Sequence, residues 1–202
     1  MSLVMAVISN EYVLLSGDRR LTSENKILDE ETRKITVLNK NSILGYAGEG
    51  KACSKIISYL QFLNLNDYSI KELHNLISKK AKEVYLLNKE KFNIIIAGNN
   101  NGKLEVYIIS TCDGFNDLNV IMPSNNKTSF VAFESGKSKN DASKLFSDLW
   151  ECGVPDKQIA INILFNIHDC IAEDDYTVNM NLDFLYIDNN GNLDYKVARK
   201  PL

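Results

Sequence analysis

The chain has 202 residues, of which 45% are hydrophobic and 24% charged, and its net charge is −3. These values predict one globular domain, residues 1–202, with a sizeable buried core. The slightly acidic balance argues against a nucleic-acid partner, which requires a basic surface. No run reaches the ~20 apolar residues of a membrane-spanning helix, so we expect no membrane partner either.

The four cysteines, Cys53, Cys112, Cys152 and Cys170, are scattered and show no Cys-x-x-Cys spacing. This pattern predicts reduced thiols and neither a zinc site nor a disulfide framework. The first residues lack the basic start of a signal peptide, and their apolar run breaks at Asn10. There is no glycine-rich phosphate loop. We therefore expect a cytoplasmic protein without a metal or other cofactor.

Strand patterns dominate the first fifty residues. Apolar runs predict two hairpins, with strands at 3–9 and 12–17 and then at 34–39 and 42–47. Residues 18–33 between the hairpins are polar, lack a regular period and predict a loop. Apolar residues then recur at helical spacing over 49–63 and over 70–88, where Ser69 is the expected N-cap.

The same alternation continues in the second half of the chain. Strands are predicted at 93–97, 104–110, 118–122 and 129–134, helices at 138–151 and 156–172, and final strands at 179–187 and 193–197. Blocks of antiparallel strands alternating with helix pairs predict a layered α+β domain and not a parallel βαβ sheet.

Several chemically active residues lie next to the first strands. Asp18 and Arg20 follow the second apolar run directly, Lys34 opens the next strand, and Ser2 precedes the first. A serine at a chain start supplies a hydroxyl and an α-amine on one residue, so nucleophile and base come together. These residues predict a site at a sheet edge or in a cleft, with an ordinary salt bridge on an edge strand as the alternative.

Together with the small-residue turn Gly45-Tyr46-Ala47-Gly48, they resemble the proteasome-like N-terminal-nucleophile hydrolases, which include the proteasome β subunits and the bacterial HslV peptidase. Ser2, Asp18, Arg20 and Lys34 fall at that family's spacings. Phe133-Glu134-Ser135-Gly136 resembles the family's Gly-Ser-Gly element, and His168-Asp169 resembles its late Arg-Asp. The resemblance implies a four-layer αββα sandwich, in which two antiparallel sheets are flanked by helix pairs.

The resemblance also implies a mechanism. Removal of Met1 would make Ser2 the nucleophile, with its own amine as the base. Lys34 would lower the pKa of the hydroxyl, Asp18 would pair with Lys34, and the Gly48 N–H would bind the oxyanion. The remaining implied roles are a structural ion pair (Arg20), orientation of the amine (Ser135, Asp169) and lining of a substrate pocket (Leu21, Tyr46).

The chain departs from the family pattern at several positions. Serine replaces the usual threonine at position 2, and Lys51-Ala52 replaces an Ala-Asp pair. Ala172 replaces a serine, and Glu173-Asp174-Asp175 follows it where small glycines are usual. A Ser-His-Asp triad would need His74, expected on a surface helix, or His168, expected to pack on its helix.

Two functions therefore stay open. One is a peptidase that cleaves peptide or protein substrates through Ser2. The other is a catalytically inactive assembly or binding protein with the same fold, in which Met-Ser-Leu has no catalytic meaning. Because members of the family form rings, the resemblance implies a homo-oligomer, such as a ring. It leaves the substrate and any partner ATPase open.

Overall fold

The computed structural model describes residues 2–23, 26–111, 119–121, 127–134, 138–150 and 156–199. In chain order, its elements are β1 (Val4–Ile8), β2 (Tyr12–Asp18), β3 (Leu21–Ser23), β4 (Lys26–Asp29), β5 (Ile35–Asn39), β6 (Ser42–Gly48), α1 (Gly50–Gln61), α2 (Ile70–Asn88), β7 (Phe92–Asn100), β8 (Lys103–Ser110), β9 (Asn119–Ile121), β10 (Ser129–Phe133), α3 (Ala142–Leu149), α4 (Lys157–Ala172), β11 (Asn181–Asp188) and β12 (Leu193–Arg199).

Two five-stranded antiparallel sheets lie at the centre of the fold. The first has the strand order β10-β1-β2-β11-β12, and the second has the order β5-β6-β7-β8-β9. In the first sheet, Val4 lies opposite Gly17 and Ile8 lies opposite Val13. This register brings the start of the chain next to the end of β2.

Alternating side chains of these strands form separate apolar cores. Val4, Leu15 and Ile95 belong to a core between the two sheets. The opposite face of the first sheet packs on α3 and α4, and the second sheet packs on α1 and α2. The layers are therefore helices, sheet, sheet and helices, which confirms the predicted αββα sandwich.

The start of α2 shows how local sequence fixes an element. The Ser69 hydroxyl accepts the Glu72 N–H at 3.3 Å, and the Glu72 carboxylate accepts the Ser69 N–H at 2.8 Å. This capping box satisfies backbone donors that the helix itself leaves without partners. The cap predicted at Ser69 is confirmed. None of the described helices is long and apolar enough to span a membrane.

The prediction of a loop over residues 18–33 is wrong in part. Leu21–Ser23 and Lys26–Asp29 pair as a small antiparallel sheet, β3 with β4. Its strands are mostly exposed, so they carry no buried face and show no alternation of polar and apolar residues. The first helix of the second pair also begins later than predicted, at Ala142, where Asp141 caps it.

Candidate active site

The register of β1 on β2 positions Ser2. The Asp18 N–H donates to the Leu3 carbonyl at 3.1 Å, which continues the pairing of the two strands by one residue. Ser2 precedes this pair by one residue and is 5% exposed. If the alternation of side chains along β1 continues to Ser2, its side chain shares the face of Val4, which packs between the two sheets.

Asp18 is fully buried and connects the start of the chain to the end of β2. Its two carboxylate oxygens accept backbone N–H groups, one from Leu3 and one from Arg20, each at 2.9 Å. Burial raises the pKa of Asp18 to about 6, although the charge of Lys34 and the two N–H donors act in the opposite direction. Asp18 therefore changes charge close to neutral pH.

Lys34 lies directly before β5 and is 2% exposed. Its ammonium donates to the carbonyl of Arg20 at 2.9 Å and makes no direct ion pair with Asp18. The expected Asp18–Lys34 contact is thus mediated by the backbone of Arg20, whose N–H binds Asp18 and whose carbonyl binds Lys34. Burial lowers the pKa of Lys34, and the carboxylate of Asp18 opposes that shift.

Gly17 provides the space in which Lys34 crosses β2. A Cβ atom at Gly17 would lie 3.1 Å from Lys34 Cβ and 3.2 Å from Ile35 Cγ2. Both distances are shorter than an ordinary van der Waals contact. A larger residue at position 17 would therefore displace the side chain of Lys34, which now packs against β2 next to Asp18.

Gly48 is the last residue of β6 and lies beyond the point where β6 pairs with β5. The N–H groups of Ala47 and Glu49 belong to the β7 side of β6, since Glu49 donates to the Lys91 carbonyl at 2.9 Å. The Gly48 N–H therefore points to the β5 side, where the Tyr46 N–H already pairs with the carbonyl of Lys34. A backbone donor next to Lys34 is the type of group that binds an oxyanion.

The backbone at Gly48 also requires glycine. Its φ is +128°, and a Cβ atom there would lie 2.5 Å from both the Lys91 carbonyl oxygen and Phe92 Cα. Residues with a side chain do not fit this conformation or this space.

The two predicted pocket residues lie on either side of this turn. The Tyr46 hydroxyl donates to the carbonyl of Arg33 at 2.6 Å, which fixes the ring against the segment leading to Lys34. Leu21 is half-buried and packs against Gly50 at the start of α1. A Cβ atom added at Gly50 would lie only 2.8 Å from Leu21 Cδ1. Both side chains are therefore held close to the turn that carries Gly48.

The family model described as "Proteasome subunit" matches residues 2–151. This chain belongs to the proteasome subunit family. No curated protein sequence matches it.

Solved structures agree with the fold of a proteasome subunit. Anbu (ancestral beta-subunit) from Yersinia bercovieri is 16% identical, with a TM-score of 0.76 over 96% of this chain and 86% of that one. The Anbu complex from Pseudomonas aeruginosa, described as a helical assembly, is also 16% identical, with a TM-score of 0.75 over 98% and 86%. Anbu from Hyphomicrobium sp. strain MC1 is 14% identical, with a TM-score of 0.73 over 96% and 86%. At these identities the likeness concerns the fold.

The residues expected to orient the amine in this proteasome subunit are only partly described. Ser135 lies outside the described residues. Asp169 lies half-buried in α4, and Ala172, the departure from the family pattern, is the last residue of that helix. The role of Asp169 in orienting the amine stays a prediction.

Neither histidine supports a catalytic triad. His168 is fully buried in α4, and its Nε2 lies 3.3 Å from the hydroxyl of Ser16, not of Ser2. Burial lowers the pKa of His168 to about 3, so the ring is neutral. His74 lies in α2, a helix with an exposed outer face, but its own side chain is 4% exposed and stacks on Tyr107 at 4.7 Å between ring centroids.

Two other chemistries are also disfavoured. Burial raises the pKa of Cys53 to about 12 despite the nearby charge of Lys34, so this thiol is not a nucleophile at neutral pH. Among the described residues, no group of three His, Cys, Asp or Glu side chains is arranged to hold a metal ion.

The sequence pattern did not identify the most buried ion pair next to the site. Arg19, between Asp18 and Arg20, forms a paired contact with Asp183 of β11, whereas Arg20 pairs with Glu30 at 3.0 Å. Asp183 is a charged residue within an otherwise mostly apolar strand, and it is fully buried. Its position could have indicated an ion pair, because a buried charge requires a partner.

Proposed function

We propose that this proteasome subunit is an N-terminal-nucleophile hydrolase that cleaves amide bonds of peptides through Ser2 once Met1 has been removed. One observation carries the proposal. Asp18 binds the backbone N–H of Leu3, next to Ser2, and also that of Arg20, whose carbonyl holds the ammonium of Lys34. A single buried carboxylate thus links the proposed nucleophile to the buried cation.

The proposed reaction begins at the α-amine, whose pKa of ~7.7–8.0 suits a general base at neutral pH. The amine takes the proton of the Ser2 hydroxyl, and Oγ forms a bond to the carbonyl carbon of the substrate. The resulting oxyanion accepts the Gly48 N–H. The carbon–nitrogen bond then breaks, and the ammonium of Ser2 returns its proton to the leaving amine. An ester on Ser2 remains, and water hydrolyses it in the same way.

Lys34 favours this sequence through its charge. A cation near a hydroxyl lowers the hydroxyl pKa because it stabilises the alkoxide. The hydrogen bond to the Arg20 carbonyl keeps the ammonium in place. In this proposal Ser135 and Asp169 orient the amine, and Leu21 and Tyr46 line the pocket for the substrate side chain.

The decisive experiment combines mass and activity. We expect intact mass spectrometry of the protein from its native host to give a chain that begins at Ser2. An activated ester or a fluorogenic peptide should then add its acyl group to the N-terminal Ser2 peptide. Ser2→Ala should abolish this adduct and leave the melting temperature unchanged, while Ser58→Ala, on the exposed face of α1, should behave as wild type.

A retained Met1, or an adduct that persists in Ser2→Ala, would overturn the hydrolase proposal. The chain would then be an inactive assembly or binding protein, an alternative that Ala172 in place of a serine supports.

We also propose that the chain forms a homo-oligomer in the cytoplasm. The helical assembly of the Pseudomonas aeruginosa Anbu complex supports self-association. So do the exposed apolar side chains on α2 and just after α1: Phe62 is 89%, Leu87 81% and Leu86 59% exposed. Cys53 and Cys170 are free thiols, as expected in a reducing compartment.

A further inference from the structure

The structure contains a buried ion pair between Arg19, directly after β2, and Asp183 of β11. The proposed reaction does not use this pair. The guanidinium of Arg19 binds both carboxylate oxygens of Asp183, with Nε at 3.0 Å from Oδ2 and Nη2 bound to Oδ1. Arg19 is 5% exposed, and Asp183 is fully buried. Nη2 also donates to the Tyr195 hydroxyl at 3.1 Å, and that hydroxyl donates to Asp183.

The same arginine fastens the segment that leads to Lys34. Its Nη1 donates to Glu31, three residues before the lysine, at 2.6 Å, although the Glu31 side chain is 50% exposed. Its backbone N–H donates to the side chain of Asn179 at 3.0 Å, and Asn179 in turn donates to the carbonyl of Glu30 at 3.1 Å. Arg19 therefore holds the backbone just before Arg20 and the segment just before Lys34.

These two attachments fix the position of the Arg20 backbone relative to Lys34. Asp18 and Lys34 do not touch, and both depend on the backbone of Arg20, which binds each of them at 2.9 Å. The pair made by the Arg20 side chain with Glu30 is more open to water, with side-chain exposures of 19% and 44%. Exposed pairs fix geometry weakly, whereas a desolvated, bidentate arginine–carboxylate pair holds its partners in one arrangement.

We propose that Arg19 and Asp183 are positioning residues that hold the Arg20 carbonyl and the ammonium of Lys34 in register beside Ser2. The inference rests on the proposed function, because it assigns these residues to the same site. It concerns position and not reaction, since neither side chain contacts the reacting atoms in the proposed mechanism.

The test replaces the ion pair without leaving a buried charge. In the double variant Arg19→Met/Asp183→Leu, apolar side chains of similar size fill the same space, and such exchanges are often neutral for stability. Arg19→Lys is the second variant, because it keeps the charge but not the two-point contact. Lys157→Gln is the matched control, since it removes an exposed ion pair with Asp194 of β12.

Two measurements separate positioning from stability. The first is the titration of the Lys34 ammonium by carbon-13 NMR of labelled lysine, assigned with Lys34→Arg. The second is the rate at which an activated ester acylates Ser2. In both test variants we expect the Lys34 pKa to rise toward its ordinary value, because a lysine released from its buried position regains water. We expect acylation to slow at least tenfold, while Lys157→Gln matches wild type.

The outcomes distinguish the two proposals. An unchanged Lys34 titration in folded variants, or a rate that falls only as the melting temperature falls, would overturn the positioning role. A shifted Lys34 titration in a protein that never acylates Ser2 would support positioning while refuting the hydrolase. If the double variant does not fold, Arg19→Lys decides alone, because its charge still balances Asp183.

Discussion

Replacement of Asp18 by alanine should destabilise the protein strongly in acid and only weakly at neutral pH. The side chain accepts the N–H groups of Leu3 and Arg20, and alanine would leave both buried donors without an acceptor. An unsatisfied buried donor costs about 2 kcal/mol, so we expect a loss of about 4 kcal/mol at pH 4, where Asp18 is protonated.

The loss should shrink as the pH rises because the wild type itself becomes less stable. The pKa of Asp18 rises from 3.8 to about 6 on folding, so the folded state binds a proton that the unfolded state has released. Stability from this group is complete below pH 3.8 and disappears as the pH rises through 6, a change of about 3 kcal/mol. At pH 7.5 the expected effect of Asp18→Ala is therefore about 1 kcal/mol.

Denaturant unfolding of wild type and variant at pH 4, 5.5 and 7.5 measures this dependence. The matched control is Asp188→Ala, since hydrogen bonds from Asn192 and Asn190 outweigh burial and lower the pKa of Asp188. Its stabilising effect should already be nearly complete at pH 4 and stay constant up to pH 7.5, because a carboxyl with a lowered pKa loses its contribution only below its ordinary value of 3.8. A loss for Asp18→Ala that is equal at pH 4 and 7.5, or larger at 7.5, would refute the reasoning about its burial.

Two further predictions concern the turn at Gly48 and self-association. Gly48→Ala should lower the free energy of unfolding by about 3 kcal/mol, because of its φ and the contact with the Lys91 carbonyl, as measured by thermal unfolding. Gly191→Ala is the control, with φ +82° and open space, and should cost only about 1 kcal/mol; equal losses would contradict the steric argument. Light scattering at micromolar concentration should give an oligomer in low and high salt, and Phe62→Ser with Leu87→Gln should weaken it. A wild-type monomer would contradict this prediction.

Local sequence signals were sufficient for the layers of the fold. Short apolar runs and the Asn10-Glu11 turn predicted β1 and β2, and Ser69 with Glu72 fixed the start of α2 because a capping box involves only neighbouring residues. The β3–β4 pair escaped prediction because a strand without a buried face has no alternating pattern.

The candidate site was less predictable, because its contacts join distant parts of the chain. Spacing placed Asp18, Arg20 and Lys34 near one another. Only the structure shows that the backbone of Arg20 connects the other two, through its N–H to Asp18 and its carbonyl to Lys34. The contact of Arg19 with Asp183 spans 164 residues, and no local rule predicts such a pair. The helix pattern placed α2 at the surface but did not show that the side chain of His74 is buried.

The strand order of the two sheets limits how copies of this chain can associate. Three edge strands each carry a feature that discourages pairing with a further strand: β9 has three residues, the pairing of β5 is interrupted by a register shift between Val37 and Asn39, and β12 exposes Asp194 and Lys196. Short, irregular and charged edges are the usual protection against edge-to-edge aggregation. Helices cover the outer faces of both sheets. Growth by sheet extension is therefore disfavoured at these three edges, which leaves the helices, the loops and the β10 edge as the surfaces through which subunits could meet.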